Sequence, residues 1–548
     1  MNHTNGSRSA GVLMPLTMLP GPFGIGVIGS EARAFAQSMG EGGFTLWQML
    51  PVEHLGTSFS PYKCVSAFAG DPMLIDPRWL MERGWVTEAE LNNRCSGADL
   101  HSVNYEVIHD RQMVLLRAAY ARLPDLVREE IKEFHPFWLD EYALYMAIRE
   151  RYDMLPWNQW PDKKLRRHDP GAVEQARREH RGMIAFYYFV QWLFDAQWKA
   201  FKEFTEDCGV KLIGDLPFYV SEDSADVWSC RELFAADSDG NFLSVAGAPP
   251  DYFTPEGQKW GNPIYNWSAM EKDHYLWWTQ RMRVALERFD SVRIDHFRGF
   301  ESFWEIPADS PTAKDGKWVK GPGIRPFTAM EKALGPLPVI AEDLGVIGPE
   351  VEALLEETGF PGTHVLQFGF LGDERHLPHR FKENSAAYTG THDNTTLLAW
   401  MYELRAEDRE RALFYCGYAG NWWQGGPNCG MCLSWIRLLF MSSARMVIIP
   451  IQDLLGYGGD TRTNIPGTAE GNWRFRVTRD ALVQINRSFY RRLAELTSRY
   501  TNPHAGTETQ GEAGAQTQTQ TQTQTQADAG AASTQEIYSA SDLNAGQP

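Results

Sequence analysis

The 548-residue chain has no stretch of 18 or more uncharged apolar residues, so it lacks the segment a membrane-spanning helix requires. Its longest apolar runs, such as Phe186–Phe194, have the length of core elements. Base is scarce: 52 Lys and Arg stand against 70 Asp and Glu, a net charge of −18. That balance is the reverse of what a phosphate-backbone binder carries, so no nucleic-acid partner is expected, and no membrane partner. Cysteine is sparse and odd in number (Cys64, Cys95, Cys208, Cys230, Cys416, Cys429, Cys432). Such usage suits a reducing, cytoplasmic setting better than a disulfide framework. Only Cys429 and Cys432 form a CxxC pair, and no second pair completes a four-ligand zinc site. The apolar piece before Ser30 is cut by Pro15, Pro20 and Pro22 and has Arg8 as its only Lys or Arg, so no secretory signal is expected. What is present is a hydrophobic fraction of 43 %, enough to bury a sizeable core and to exclude a wholly disordered chain.

From about Thr501 the composition changes. Gln516–Gln526 alternates Gln and Thr, and the tail has five acids, no Lys or Arg, and three large apolar residues. Residues 501–548 are therefore read as a disordered TQ-rich tail. Upstream, short apolar runs alternate with helical stretches, the pattern of βα units on a parallel sheet. Eight candidate strands are Gly11–Leu16, Thr45–Pro51, Lys211–Tyr219, Ser291–Asp295, Pro338–Asp343, His364–Phe370, Ala387–Thr391 and Met446–Ile451. They predict an α/β chain with a (β/α)8 TIM barrel. Residues 1–52 would start it with strands 1 and 2, and residues 211–500 would carry the rest. Residues 53–210 are too long for one crossover helix. They are expected to hold an inserted, mostly helical subdomain, including the amphipathic-looking Trp138–Arg151. The breaker-rich segment 249–263 is too polar for a strand and is read as a lid loop that expels water.

Gly24, Gly26 and Gly29 match GxGxxG. A dinucleotide site needs a strand running into the first glycine, and Pro20-Gly21-Pro22 breaks the chain there. More informative are three acids at candidate strand ends, where barrel enzymes gather their chemistry. In Ser291–Asp295, alternation places Val292 and Ile294 on one face and Arg293 with Asp295 on the other. So close a guanidinium is expected to lower the carboxyl's pKa and keep it ionised, as a nucleophile requires. Glu342 follows in VIAEDLG and Asp393 in TGTHDN, with His296, His392 and Asn394 beside them. Two carboxylates about 5–5.5 Å apart can act as nucleophile and acid–base on an acetal. Alternation does not decide between Glu342 and Asp343 for the second. Tyr62, Tyr252, Phe253, Trp260 and Phe368, near strand ends or Gly/Pro loops, could face pyranose rings, whereas most other aromatics belong to the core.

Taken together, LPGPFGIG, FSPY, SAFAGDPMLID, GDLPFYVSEDSADVW, VAGAPPDYFTPEGQKWGNPIY, VRIDHFRGF, IAEDLG, GTHDN and PIQDLLGYGGDTRTNIPGTAEGNWRFR resemble the amylomaltase, or 4-α-glucanotransferase, family from about Arg8 to Tyr500. The resemblance implies retaining double displacement: Asp295 as nucleophile, Glu342 as acid/base and Asp393 as transition-state stabiliser. Tyr62, Asp215, Arg293, His296, His392 and Asn394 then resemble donor-site contacts. Asp251, Tyr252, Gln258 and Trp260 resemble an acceptor-side lid, and Phe368 and Asn464 further sugar contacts. It implies maltooligosaccharide or α-glucan donors and acceptors, no metal, no cofactor, and a monomer or weak homo-oligomer. EHLGTSF before SPY, MPLTMLP at the first strand, and Cys64-Val65 depart from the family's usual residues and bear on outer subsites. Two rivals stand beside this reading. A metal-dependent barrel hydrolase would use Asp295, His296, His392 and Asp393 as ligands, but would want a His-x-His that GVLMPLT lacks. The other is a non-catalytic α-glucan-binding protein.

Overall fold

All eight expected strands form, and they pair only in parallel. The computed structural model describes residues 7–237, 240–250, 255–345 and 347–501. In chain order the strands are β1 (Ser9–Leu13), β2 (Leu46–Gln48), β3 (Lys211–Leu216), β4 (Ser244–Ala248), β5 (Gln258–Pro263), β6 (Ser291–Ile294), β7 (Ser302–Pro307), β8 (Lys317–Lys320), β9 (Val339–Ala341), β10 (Gly362–Val365), β11 (Ser385–Tyr388) and β12 (Met446–Pro450). One sheet runs β10-β11-β12-β1-β2-β3-β6-β9. The Ala341 N–H donates to the Pro361 carbonyl at 2.9 Å, drawing β9 to β10 and closing the (β/α)8 barrel.

Leu13, Leu46, Ile213, Ile340, Ala386, Tyr388 and Ile448 fill its interior. Val12, Trp47, Leu212, Val292, Ile294 and Val447 face the helices and join the main core. This two-sided burial is why the strands read as apolar runs. Their carboxyl ends are shorter than the sequence suggests. β1 stops before Pro15, which has no N–H for the ladder. The expected strand His364–Phe370 is instead the end of β10 followed by a 3₁₀ turn, Leu366–Phe370. Trp47, Trp157, Trp160, Trp228, Trp278 and Trp435 are fully buried, so most tryptophans build the core, as expected.

Two readings are corrected. Leu139–Arg151 is not amphipathic: Leu139 and every residue from Tyr142 to Arg149 are buried, because the helix is wrapped by Pro170–Glu179, Arg181–Asp207 and Ala225–Ser229. Arg149 survives there by donating to Asp223 at 2.6 Å. Likewise, part of the 249–263 segment is a strand. β5 pairs antiparallel with β4, which pairs with β7, and β7 with β8. Sheet pairing overrides the weak strand propensity of Gln258–Pro263, and long-range pairing of this kind leaves no local signal. Between β2 and β3 the chain is helical from Pro77 to Asp207 apart from connections, and residues up to Tyr500 belong to one compact unit. Asp251, Tyr252, Phe253 and the tail beyond Thr501 lie outside the described residues. Among the described residues no helix is long and apolar enough to cross a membrane.

The glycine motif is used for packing. A Cβ on Gly26 would lie 1.9 Å from the Leu16 carbonyl oxygen and 2.7 Å from Leu19 Cβ, where the loop folds back and the Gly26 N–H donates to Thr17. Gly26→Ala is expected to cost about 2–4 kcal/mol, since backbone must move to admit the methyl. The midpoint of urea unfolding measures this; an unshifted midpoint would show the loop to be adaptable.

Candidate active site

The barrel mouth is organised around one buried cation. Asp215 on β3 pairs in register with Arg293 on β6, so both point inward at the same height. The Arg293 Nη1 donates to both Asp215 oxygens, at 2.6 and 2.8 Å, and lies 3.2 Å from Asp295 Oδ1. Burial opposes the charge of Arg293, but Asp215, Asp295, Tyr62 and Glu342 outweigh it and fix the guanidinium in its charged form.

The next step up each strand sets the acid pair. Ile294 and Ala341 are in register, and the Glu342 N–H donates to Ile294 at 3.0 Å. Asp295 and Glu342 are therefore neighbours at the ends of adjacent parallel strands, which lie about 4.8 Å apart. The His296 N–H donates to Glu342 Oε2 at 2.7 Å, fixing that carboxyl beside Asp295. The choice left open between two acids is resolved. Glu342 turns toward Asp295, whereas Asp343 turns to β10 and accepts the Thr363 N–H at 2.6 Å.

The electrostatics correct one expectation. Arg293 does not pull Asp295 below the usual carboxylate range: burial raises it to about 6, Arg293 works against that rise, and Asp215 adds to it. The guanidinium is already committed to Asp215, so its effect on Asp295 is partial. Glu342 rises further, to about 8. Burial is the main cause, Arg293 opposes it, and the Asp295 charge adds to it. Near neutral pH the pair thus divides into a charged Asp295 and a protonated Glu342.

A third acid faces them from the turn after β11. Burial disfavours its charge, but the His392 imidazolium and the Asn464 amide, donating to Oδ1 at 2.6 Å, hold Asp393 well below the usual carboxylate range. Arg462 donates to the Asp393 carbonyl at 2.5 Å. His392 is raised by Asp393 against the opposing effect of burial, and its Nε2 lies 2.9 Å from the Tyr62 hydroxyl. That hydroxyl also donates to Asp215 Oδ2 at 2.7 Å, so Tyr62 joins the two halves of the site. His296 takes a left-handed backbone, φ 50°. Burial, reinforced by Arg298, lowers it to about 3, so it is neutral, and its Nε2 is buried without a hydrogen-bond partner among the described residues. A buried polar atom so placed is a ready contact for a ligand hydroxyl. Trp260, on β5, presents its ring 5.1 Å from that imidazole and donates through Nε1 to Gln258 at 3.1 Å.

Two further nominated residues have protein partners of their own. The Asn394 Oδ1 is occupied by the Thr391 N–H and hydroxyl, both at 2.9 Å, and staples the turn that presents Asp393. Phe368 sits in the turn after β10, and its ring neighbour is His376, at 5.5 Å. Two contributors escaped the sequence reading. Trp473, with φ 66°, lies 5.8 Å from the Tyr62 ring and 5.9 Å from His392. Tyr219 lies 6.2 Å from both Trp260 and His296. The signal for Trp473 was an aromatic between Gly471 and two arginines. Tyr219 gave none beyond its position after β3. Among the described residues, no three His, Cys, Asp or Glu side chains are grouped as ligands for a metal ion.

A parallel barrel with a charged and a protonated carboxyl side by side at its mouth, ringed by aromatics, defines an acid–base site suited to acetal chemistry. The profile of the 4-alpha-glucanotransferase family matches residues 14–482, and the chain belongs to that family. It is 41 % identical over 506 residues to a 4-alpha-glucanotransferase of Thermus thermophilus, covering 90 % of this chain and 99 % of that one. The same identity over 478 residues relates it to the enzyme of Aquifex aeolicus, covering 86 % and 96 %. An amylomaltase of Streptococcus agalactiae, solved with acarbose, matches with a TM-score of 0.86 at 35 % identity, over 90 % of this chain and 100 % of that one. An amylomaltase of Corynebacterium glutamicum, TM-score 0.73 at 18 % identity, shares the fold.

Proposed function

We propose that the protein moves segments of α-1,4-glucan from a donor to the 4-hydroxyl of glucose or another glucan by retaining double displacement. The supporting observation is the side-by-side placement of Asp295 and Glu342 with their protonation divided. Asp295 attacks the anomeric carbon while Glu342 gives its proton to the departing sugar oxygen. A glucosyl ester on Asp295 results. Glu342, now a carboxylate, takes the proton of the incoming 4-hydroxyl, whose oxygen displaces Asp295 and regenerates both groups. Asp393, held ionised between His392 and Asn464, binds sugar hydroxyls and favours the oxocarbenium-like transition state. Tyr62, Asp215 and Arg293 fix the charge pattern of the donor site, and His296 offers Nε2 to a sugar hydroxyl. Donor and acceptor are maltooligosaccharides or longer α-glucans. All seven cysteines are unpaired, which supports a cytoplasmic setting, and a monomer or weak homo-oligomer is the proposed state.

Maltotriose incubated with the protein is expected to yield glucose together with a ladder of longer maltooligosaccharides on thin-layer chromatography. Glucose and maltose alone would mark a hydrolase, and unchanged maltotriose a binding protein. The same assay tests the lid. Transfer exceeds hydrolysis only if acceptor binding energy and water exclusion favour it, and Trp260 shields the His296 side of the crevice. Trp260→Ala is expected to raise the ratio of hydrolysis to transfer at least about threefold; an unchanged ratio removes Trp260 from the lid.

A further inference from the structure

The glucan site leaves the CxxC pair unused, and the fold gives that pair a particular setting. Cys429 is the N-cap of the helix Gly430–Met441, and the Cys432 N–H donates to its sulfur at 3.5 Å. Positions three apart in a helix's first turn bring Cα atoms within the 4.4–6.8 Å that a disulfide bridges. Cys429 is buried, 4 % exposed, and follows exposed Asn428 in the chain. Cys432, 2 % exposed, belongs with Cys429 to the main core.

Behind the pair stands the wall of the active site. The Gly426 N–H donates to the Gly456 carbonyl at 2.9 Å, and the Cys429 N–H to the Gly426 carbonyl at 2.9 Å. Gly456 comes so close that a Cβ there would lie 2.9 Å from Cys429 Cβ. Three residues earlier, buried Asp453 accepts the Leu397 N–H at 2.7 Å and the Thr389 hydroxyl at 2.5 Å. Those two residues bracket the turn that carries His392 and Asp393. Displacing Cys429 therefore moves Gly456, and through Asp453 the turn that aims Asp393.

We propose that Cys429 and Cys432 form a reversible dithiol–disulfide site whose oxidation lowers glucan transfer by shifting the Thr389–Leu397 turn. The oxidant is a low-molecular-weight disulfide such as oxidised glutathione. The Cys429 thiolate attacks one of its sulfurs, forming a mixed disulfide and releasing one thiolate. Cys432, after losing its proton to solvent, attacks the Cys429 sulfur and displaces the second thiolate. The cysteine pair gives up two electrons and the reagent takes up two. The site is suited to this order of events. The hydrogen bond from the Cys432 thiol, helped against burial by the N–H groups of Cys432 and Met431, lowers Cys429 to about 7. The same bond, with burial, drives Cys432 well above its usual range. An attacking thiol near ambient pH and a buried resolving partner make an exchange-competent pair.

The test equilibrates the full chain with a graded series of reduced and oxidised glutathione, reads maltotriose disproportionation on one portion directly, and reads intact and peptide mass on a second portion quenched in acid. Expected are a loss of 2 Da mapped to the peptide containing both cysteines, and a fall in kcat of about three- to thirtyfold. Dithiothreitol should reverse both, with no fall in thermal midpoint. Cys429→Ser should keep its rate under oxidation, and Cys432→Ser should stop at the mixed disulfide, heavier by one glutathione. A disulfide that never forms or maps elsewhere overturns the proposal. So does one that leaves kcat unchanged, or whose effect persists after reduction. None of these outcomes touches the transferase reading, which rests on the product ladder under reducing conditions.

Discussion

Asp295→Asn is expected to lose transfer and hydrolysis of maltotriose together, by about 10⁴-fold or more. The substitution keeps the size and shape of the side chain, and Arg293 retains both bonds to Asp215, so the barrel should unfold at nearly the same temperature. What disappears is the oxygen nucleophile that forms the ester. A variant that hydrolyses normally while failing to transfer would place Asp295 in acceptor binding instead. A second variant separates chemistry from folding. With Asp295→Gly, α-maltotriosyl fluoride and azide, the small anion enters the vacated space and attacks from the face Asp295 occupied. The product should be the β-glycosyl azide, inverted at the anomeric carbon.

The acid limb of the pH profile follows from the same residue. Asp295 must be ionised to attack, and burial has raised it to about 6. Activity should therefore decline as pH falls through that region, about two units above where an exposed aspartate would begin to protonate. Without Arg293 the rise would be larger, which assigns the guanidinium the task of keeping a buried nucleophile usable at neutral pH.

The particulars of the barrel show which parts of such a site are legible in a sequence. The eight strands were readable because burial on both faces writes them as β-branched and apolar runs. Alternation in Ser291–Asp295 then placed Arg293 and Asp295 toward the mouth. The strand ends were overrun because residues such as Pro15 and Leu366 leave the ladder for reasons set by the loops they enter. Alternation alone gave neither Glu342 over Asp343, which only the family resemblance named, nor the rise of Asp295. The first depends on a bond from the His296 N–H across strands, the second on Asp215 having claimed the guanidinium. β5 was missed for a related reason: Gln258–Pro263 is a strand only because β4 is there to pair with it. Asn394 and Phe368 were nominated as sugar contacts through the family resemblance, and the stapling of the Thr391 turn by Asn394 is a second, structural task that no pattern in the chain announced.

Glu342→Gln is the other large effect, and its size should depend on the leaving group. With maltotriose the departing sugar alkoxide needs a proton, and loss of the general acid is expected to cost about 10³-fold. With α-maltotriosyl fluoride the leaving group departs unaided, and ester formation should fall by about tenfold or less. The ester then accumulates, because the acceptor hydroxyl has lost its base; mass spectrometry should find Asp295 carrying a glucosyl chain. The wild-type protein should show the matching pH behaviour. Glu342 titrates at about 8 and acts protonated, so maltotriose turnover declines as pH rises through that value, whereas formation of the ester from the fluoride does not. Azide sharpens the distinction. Acting on Glu342→Ala it attacks the ester from the face opposite Asp295 and yields the α-glycosyl azide, the anomer opposite to that from Asp295→Gly. The same anomer from both variants would mean that Asp295 and Glu342 do not divide the two faces of the sugar ring, and the assignment of attack to one and proton transfer to the other would fall.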